Sequence, residues 1–154
     1  MVGTAISSLL TKAGYEIVAA FDKSPSAVKR AKLFTGGSAF RTPHEALQKA
    51  DFILITTPDD IISSVCREIA LSPAIKGKFV FHMSGAGGLD LLEAARKAGA
   101  VVASIHPLQS FSSIDQAIQN IPGSYFGITA DKKAGMFAKK NCPRFGRYSL
   151  LYLR

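Results

Sequence analysis

The sequence has no tryptophan, only two cysteines and three histidines, and fewer Asp and Glu (11) than Lys and Arg (19). Cys66 and Cys142 form neither a disulfide framework nor a metal-ligand spacing. A reducing, cytoplasmic setting is expected, and no metal. No apolar run approaches the roughly 18 residues that a membrane span needs. No basic segment precedes the apolar N-terminal stretch, so no secretory signal is expected either. The shortage of acids leaves a net charge of +8, which at first points to a nucleic-acid partner. Its distribution points elsewhere. Residues 1–130 hold 12 Lys and Arg against 10 Asp and Glu, whereas residues 131–154 hold 7 against 1. The body is nearly neutral and is not read as a nucleic-acid binder.

What is present is ordinary for a folded domain: 154 residues, 47% apolar and 19% charged, enough for one domain with a real core. The chain alternates strand and helix. Gly3–Ala13 reads as a helix, Tyr15–Phe21 as a strand, and Ser24-Pro25 as the start of a helix to about Phe34. Ser38–Arg41 is a short strand, and Thr42-Pro43 opens a short helix. Asp51–Thr57 is an apolar strand of the kind that suits a parallel sheet covered on both faces. Pro58 to Leu71 is a helix, Lys78–Met83 a strand, and Leu89–Lys97 a helix. Val101–Ile105 is a strand ending in a His106-Pro107 turn. Ser113–Gln119 is a helix and Tyr125–Thr129 a last strand. This order implies an α/β fold with a doubly wound, mainly parallel sheet, whose ligands sit at the carboxyl ends of the strands. From Asp131 onward the periodicity fades, and residues 131–154 read as an atypical basic tail not native to the fold.

One further scarcity matters most. A helix opening on Gly, then a strand ending in an acid about 20 residues on, is the back half of a dinucleotide-binding unit. Gly3 would be the last fingerprint glycine, followed by Thr4, but only Met1 and Val2 stand before it. The strand that should precede the glycine turn, central in the order 3-2-1-4-5-6, is not in these residues. Its place would be left to direct pairing of its neighbours, to an open gap, or to another segment, for which Tyr148–Leu153 is the one candidate.

The strand ends carry the candidate chemistry. Asp22 suits ribose hydroxyls and an NAD preference, while Lys23 beside it suits a 2′-phosphate and NADP; Ser24 completes that turn, whose plainer role is to cap the next helix. Thr56, Thr57 and Pro58 stand where ribose and pyrophosphate would lie, and equally cap a helix. His82 and Ser84, two residues apart, share one side of a strand mouth. Ser84 lacks a nucleophile elbow, so proton relay or substrate binding fits it, and His82 also reads as a satisfied core histidine. His106, fixed by Pro107, can act as a general acid near neutrality or as a structural turn residue. The Ser84–Gly88 stretch is expected to be a flexible substrate-side loop.

VGTAISSLLTKAGYEIVAAFDKS, FILITTPDD, FHMSGAGGLDLL and ASIHPLQSF together resemble the NADP-binding Rossmann domain of the DUF2520 group. That group is similar to pyrroline-5-carboxylate reductase and the deazaflavin-dependent NADP oxidoreductases. The resemblance spans about residues 2–130 and implies an incomplete NAD(P)-binding Rossmann-like domain there. It implies NADP or NAD as cofactor, hydride transfer with a small-molecule substrate, and a further helical domain that makes a homodimer. It places Gly3, Asp22, Lys23, Ser24, Thr57 and Pro58 at the cofactor and Ser84 and His106 at the substrate. Prephenate dehydrogenases carry a similar His-Pro turn and are the competing enzyme reading. A non-catalytic nucleotide-binding module and an inactive fragment are the alternatives outside catalysis.

Overall fold

The computed structural model describes residues 2–40, 42–141 and 148–153. Helix α1 (Val2–Lys12) buries Ala5, Ile6 and Ser8 on one face. Strand β1 (Ala19–Ala20) follows. Helix α2 (Pro25–Thr35) begins as the sequence dictates: Ser24 is extended, its side chain accepts from the Ala27 N–H, and Pro25 stands in the first turn. Then come β2 (Ser38–Ala39), α3 (Pro43–Lys49, capped by Thr42), β3 (Phe52–Ile55) and α4 (Asp59–Ala70). A 3-10 turn at Pro73–Ile75 leads to β4 (Phe79–His82). A second 3-10 turn, Leu89–Leu92, runs into α5 (Glu93–Lys97). Strand β5 (Val101–Pro107), α6 (Ile114–Asn120), β6 (Tyr125–Ala130), α7 (Lys132–Asn141) and β7 (Tyr148–Leu153) complete the order.

Five strands form one sheet in the order β3-β4-β5-β6-β7, and β1 and β2 form a separate parallel pair. Strands β3, β4 and β5 are parallel, β6 is antiparallel to β5, and β7 is parallel to β6. Alternation along the strands divides the core between two faces. Val80 and Val102 join Leu47, Ile62, Cys66, Ile69, Leu92 and Ala95 from α3, α4 and the segment through α5. Phe81, Val101 and Ala103 join Ala5, Ile6, Ala117, Ile121 and Ala134 from α1, α6 and α7. Helices on both faces of a mainly parallel sheet make the fold doubly wound, as expected. Fully burying one such Ile or Val side chain stabilises by about 1.5–3 kcal/mol, so the two clusters hold the helices to the sheet.

Several boundaries differ from those expected. The strand over Tyr15–Phe21 contracts to Ala19–Ala20, because among the described residues β1 has one strand partner, β2. A strand is defined by its ladder, and half of this one is absent. Strand β5 runs on through His106 and Pro107, which pair with Gly127 and Phe126, where a turn was expected. Pairing with β4 stops at Ser104, so beyond it Pro107 needs no donor on that side. The helix over Leu89–Lys97 is 3-10 in its first half. Tyr148–Leu153 pairs with β6 at the far edge of the sheet, and among the described residues no strand joins β1 to β3. Arg41, the expected end of the second strand, and Cys142 through Arg147 lie outside the described residues.

Candidate functional site

The β-ladder registers align the strand ends. Ile55 pairs with His82, and His82 with Ser104. Thr56-Thr57, Met83-Ser84 and Ile105-His106 therefore follow one another at the carboxyl end of the sheet. Asp22, just past β1, lines the same cleft as Gly3, Thr4, Thr56, Met83 and Ile105. The cleft has a volume of about 560 Å³, within the usual range of a small-molecule site.

On the β1 side, the Asp22 carboxylate accepts from the Ser24 N–H at 2.8 Å, which leaves its second oxygen for another partner. Asp22, Lys23 and Ser24 are all exposed. On the β3 side, Gly3 presses against Thr56: a Cβ on Gly3 would collide with the Thr56 Oγ1 and Cβ. Only glycine lets the start of α1 approach the β3 end so closely. Next to this contact, Thr57 Oγ1 is buried with no hydrogen-bond partner among the described residues. An orphaned hydroxyl is costly, and this one sits ahead of α4, whose first turn has no side-chain cap from Pro58. A helix start with open N–H groups is favourable for an anion, although Asp59 and Asp60 in the same turn oppose it. The glycine contact, the orphaned hydroxyl and the free carboxylate oxygen fit a dinucleotide that spans from β1 to β3.

On the β4 and β5 side, the three catalytic candidates lie together. His82 is fully buried. Its Nδ1 accepts from the Ser84 N–H at 3.2 Å, and its Nε2 lies 3.0 Å from the Gly88 carbonyl. These two bonds assign the proton to Nε2, which donates to Gly88. Burial holds the His82 pKa below the usual histidine value, against smaller opposing effects of the Gly88 carbonyl, Asp59 and Asp90. Ser84 is buried too, and its Oγ accepts from the N–H groups of Ala86 at 3.2 Å and Gly87 at 3.0 Å. The Ser104 hydroxyl donates to the Ser84 carbonyl at 3.3 Å. The Ser84–Gly88 turn, expected to be a flexible loop, is thus pinned at both ends by His82 and from within by Ser84.

His106 is half-buried, with Nδ1 3.1 Å from the Met83 carbonyl. Donation to that carbonyl leaves Nε2 as the basic nitrogen. Gly85 packs on the ring: a Cβ there would stand 2.6 Å from Nε2. Sequence reasoning missed Gly85 as the seat of His106; the available signal was a glycine just past one strand facing a histidine at the end of the next. It also missed the Met83 carbonyl, which has no side-chain signature. His44 lies on α3 and does not line the cleft. Among the described residues no metal-ligating cluster forms, and no helix is long and apolar enough to cross a membrane.

The sequence profile of the Rossmann-like domain family matches residues 1–107. No curated protein matches the chain. Among solved structures, the chain is similar to 3-hydroxyisobutyrate dehydrogenase of Mycobacterium tuberculosis, with TM-score 0.79 and 16% identity over 99% of this chain and 51% of that one. It is similar to the imine reductase of Myxococcus stipitatus in complex with NADP+, with TM-score 0.78 and 13% identity over 99% and 52%. It is also similar to prephenate dehydrogenase of Aquifex aeolicus, with TM-score 0.77 and 14% identity over 99% and 57%. The chain spans about half the length of these proteins.

Proposed function

The chain belongs to the Rossmann-like domain family, and from that premise we propose that it is the NAD(P)-binding part of an oxidoreductase that moves hydride to or from a small substrate. The observation that carries this reading is the convergence at one cleft of Gly3, Thr4, Asp22 and Thr56, with the His106 strand end beside it. Asp22, Lys23 and Ser24 would hold the adenosine ribose, and Thr56, Thr57 and Pro58 the pyrophosphate side. A nicotinamide bound there supplies or accepts the hydride. His106 would hold the proton that accompanies it, on Nε2, with Nδ1 anchored on Met83. Ser84 and His82 position that nitrogen indirectly, through the turn that carries Gly85. The solved relatives include an imine reductase with NADP+ and, as a variant, with NAD+, which supports a nicotinamide cofactor for this chain.

The finer assignment, kinship with the DUF2520 group and with pyrroline-5-carboxylate reductase, rests on the SGA turn after β4 and HPLQ at the end of β5. The prephenate dehydrogenase-like reading rests on the same His106-Pro107 pair and on the similarity of fold. A cytoplasmic setting and a homodimer belong to this proposal too. The internal commitment of His82 and Ser84 favours a second reading, a nucleotide-binding module without catalysis. Cofactor choice tests the proposal at its adenosine end. Lys23→Ala should weaken NADPH binding about tenfold and leave NADH unchanged, if Lys23 meets a 2′-phosphate. Equal effects on both nucleotides would overturn the placement of Lys23 at that phosphate.

A further inference from the structure

We propose that His82 is a pH-operated latch: protonation at Nδ1 releases the Ser84–Gly88 turn and takes Gly85 off the His106 ring. The consequence for hydride transfer rests on the function proposed above, whereas the latch itself rests on contacts within this chain. His82 ends β4 and is fully buried. The neutral ring uses both nitrogens, Nε2 donating to the Gly88 carbonyl at 3.0 Å and Nδ1 accepting from the Ser84 N–H at 3.2 Å. The imidazolium ion has two donors and no acceptor. Its bond to Gly88 survives and strengthens, because the donor is then charged. Its other side fails, because a ring N–H would point at the Ser84 N–H. Two buried donors facing each other leave both unpaired, at a cost that opening the contact removes.

Since Gly88 keeps its hold on the ring, the Ser84 side is the one that yields. Ser84 Oγ accepts from the Ala86 and Gly87 N–H groups, so residues 84–87 move as one small unit. Gly85 lies inside that unit and packs on His106 so closely that a Cβ would stand 2.6 Å from Nε2. Release of the Ser84 N–H therefore lifts Gly85 and opens His106 Nε2, the nitrogen proposed to hold the reaction's proton, to water. The Ser104 hydroxyl still bonds the Ser84 carbonyl, and His106 Nδ1 still bonds the Met83 carbonyl. These two bonds do not involve His82, and they confine the motion to the turn. The charged groups that act on His82 are Asp59, in the first turn of α4, and Asp90, just past the turn. Both are exposed and favour the protonated ring, but burial outweighs them. Its ladder partners on β3 and β5, Ile55 and Ser104, carry no charge. The latch is thus closed at neutral pH and opens below the usual histidine value of about 6.5.

The test is an NMR titration of the 154-residue chain with protons alone, from pH 7.5 down to 5 and without nucleotide. The His82 ring, the His106 ring and the amides of the turn are followed separately. The Ser84 amide proton should move upfield along the titration curve of the His82 ring, and the His106 ring signals should shift at the same midpoint. One pH unit below that midpoint, open turns should outnumber closed ones about tenfold. The Val80 and Val102 amides, on fully buried strand positions, should stay in place. His82→Asn gives up the Gly88 bond, keeps an acceptor for the Ser84 N–H and does not titrate, so its turn should stay closed throughout. A His82 ring that stays neutral down to pH 5 overturns the proposal. So does a Ser84 amide or a His106 ring that ignores the His82 midpoint. Loss of the Val80 and Val102 signals at that same midpoint also overturns it, since the event would then be unfolding. With no nucleotide present, these outcomes are independent of whether the chain binds NADPH.

Discussion

His82 shows how one buried side chain can hold a turn in place. Its two ring nitrogens bond the Ser84 N–H and the Gly88 carbonyl, and burial keeps it neutral. The folded pKa lies below the unfolded value of about 6.5. The unfolded chain therefore binds the proton more readily, and the stability that His82 contributes is present above that pH and lost as pH falls below it toward the folded pKa. Chemical denaturation from pH 7.5 down to 5 should show this decline, with a slope of up to about 1.4 kcal/mol per pH unit from this group. The His82→Asn variant should be less stable at neutral pH and should lose that part of the slope; an unchanged slope would place the titration on another group. Gly85 makes a second prediction at this scale. Gly85→Ala drives a methyl into the His106 ring and should cost about 1–3 kcal/mol as overpacking. It should also break the Nδ1 bond to the Met83 carbonyl, visible as loss of the protected ring proton by NMR. FHMSGAGG alone offers His82 as a satisfied core histidine, but its partners and the seat of His106 on Gly85 depend on how the turn folds back over its own strand.

The elements themselves were mostly legible. Pro25 after Ser24 and Pro43 after Thr42 mark helix starts that the structure reproduces with their caps, and the apolar runs at β3, β4 and β5 fall where expected. What failed were features set by a neighbour rather than by the residues. The length of β1 depends on a second strand partner, and the extension of β5 through Pro107 depends on β6 pairing past the end of β4. Asp131 is a further feature, one that by sequence alone falls in a tail outside the fold. Its carboxylate accepts from Ala134 N at 2.9 Å, which caps α7, and from Val102 N at 3.2 Å, which stands in for a ladder acceptor on β5. Asp131→Ala should therefore cost about 2 kcal/mol, more than a simple cap, since it also leaves the Val102 N–H without its acceptor. Asp131→Asn, which keeps one acceptor oxygen but sets its amide NH2 against the other N–H, should recover only part of that loss in thermal unfolding.

At the scale of the whole molecule, Gly3, Thr4, Asp22 and Thr56, all proposed to meet the cofactor, line one cleft between β1 and β3. The strand ends are in place, and Gly3 makes its close contact with Thr56. The proposed function thus predicts that Asp22, Lys23, Ser24, Thr56 and Thr57 meet a nucleotide. The most direct test is an NMR titration of residues 1–154 with NADPH. The expected result is saturable movement of the Asp22, Lys23, Ser24, Thr56 and Thr57 amides. No binding, or saturable binding that leaves those amides unmoved, would contradict it.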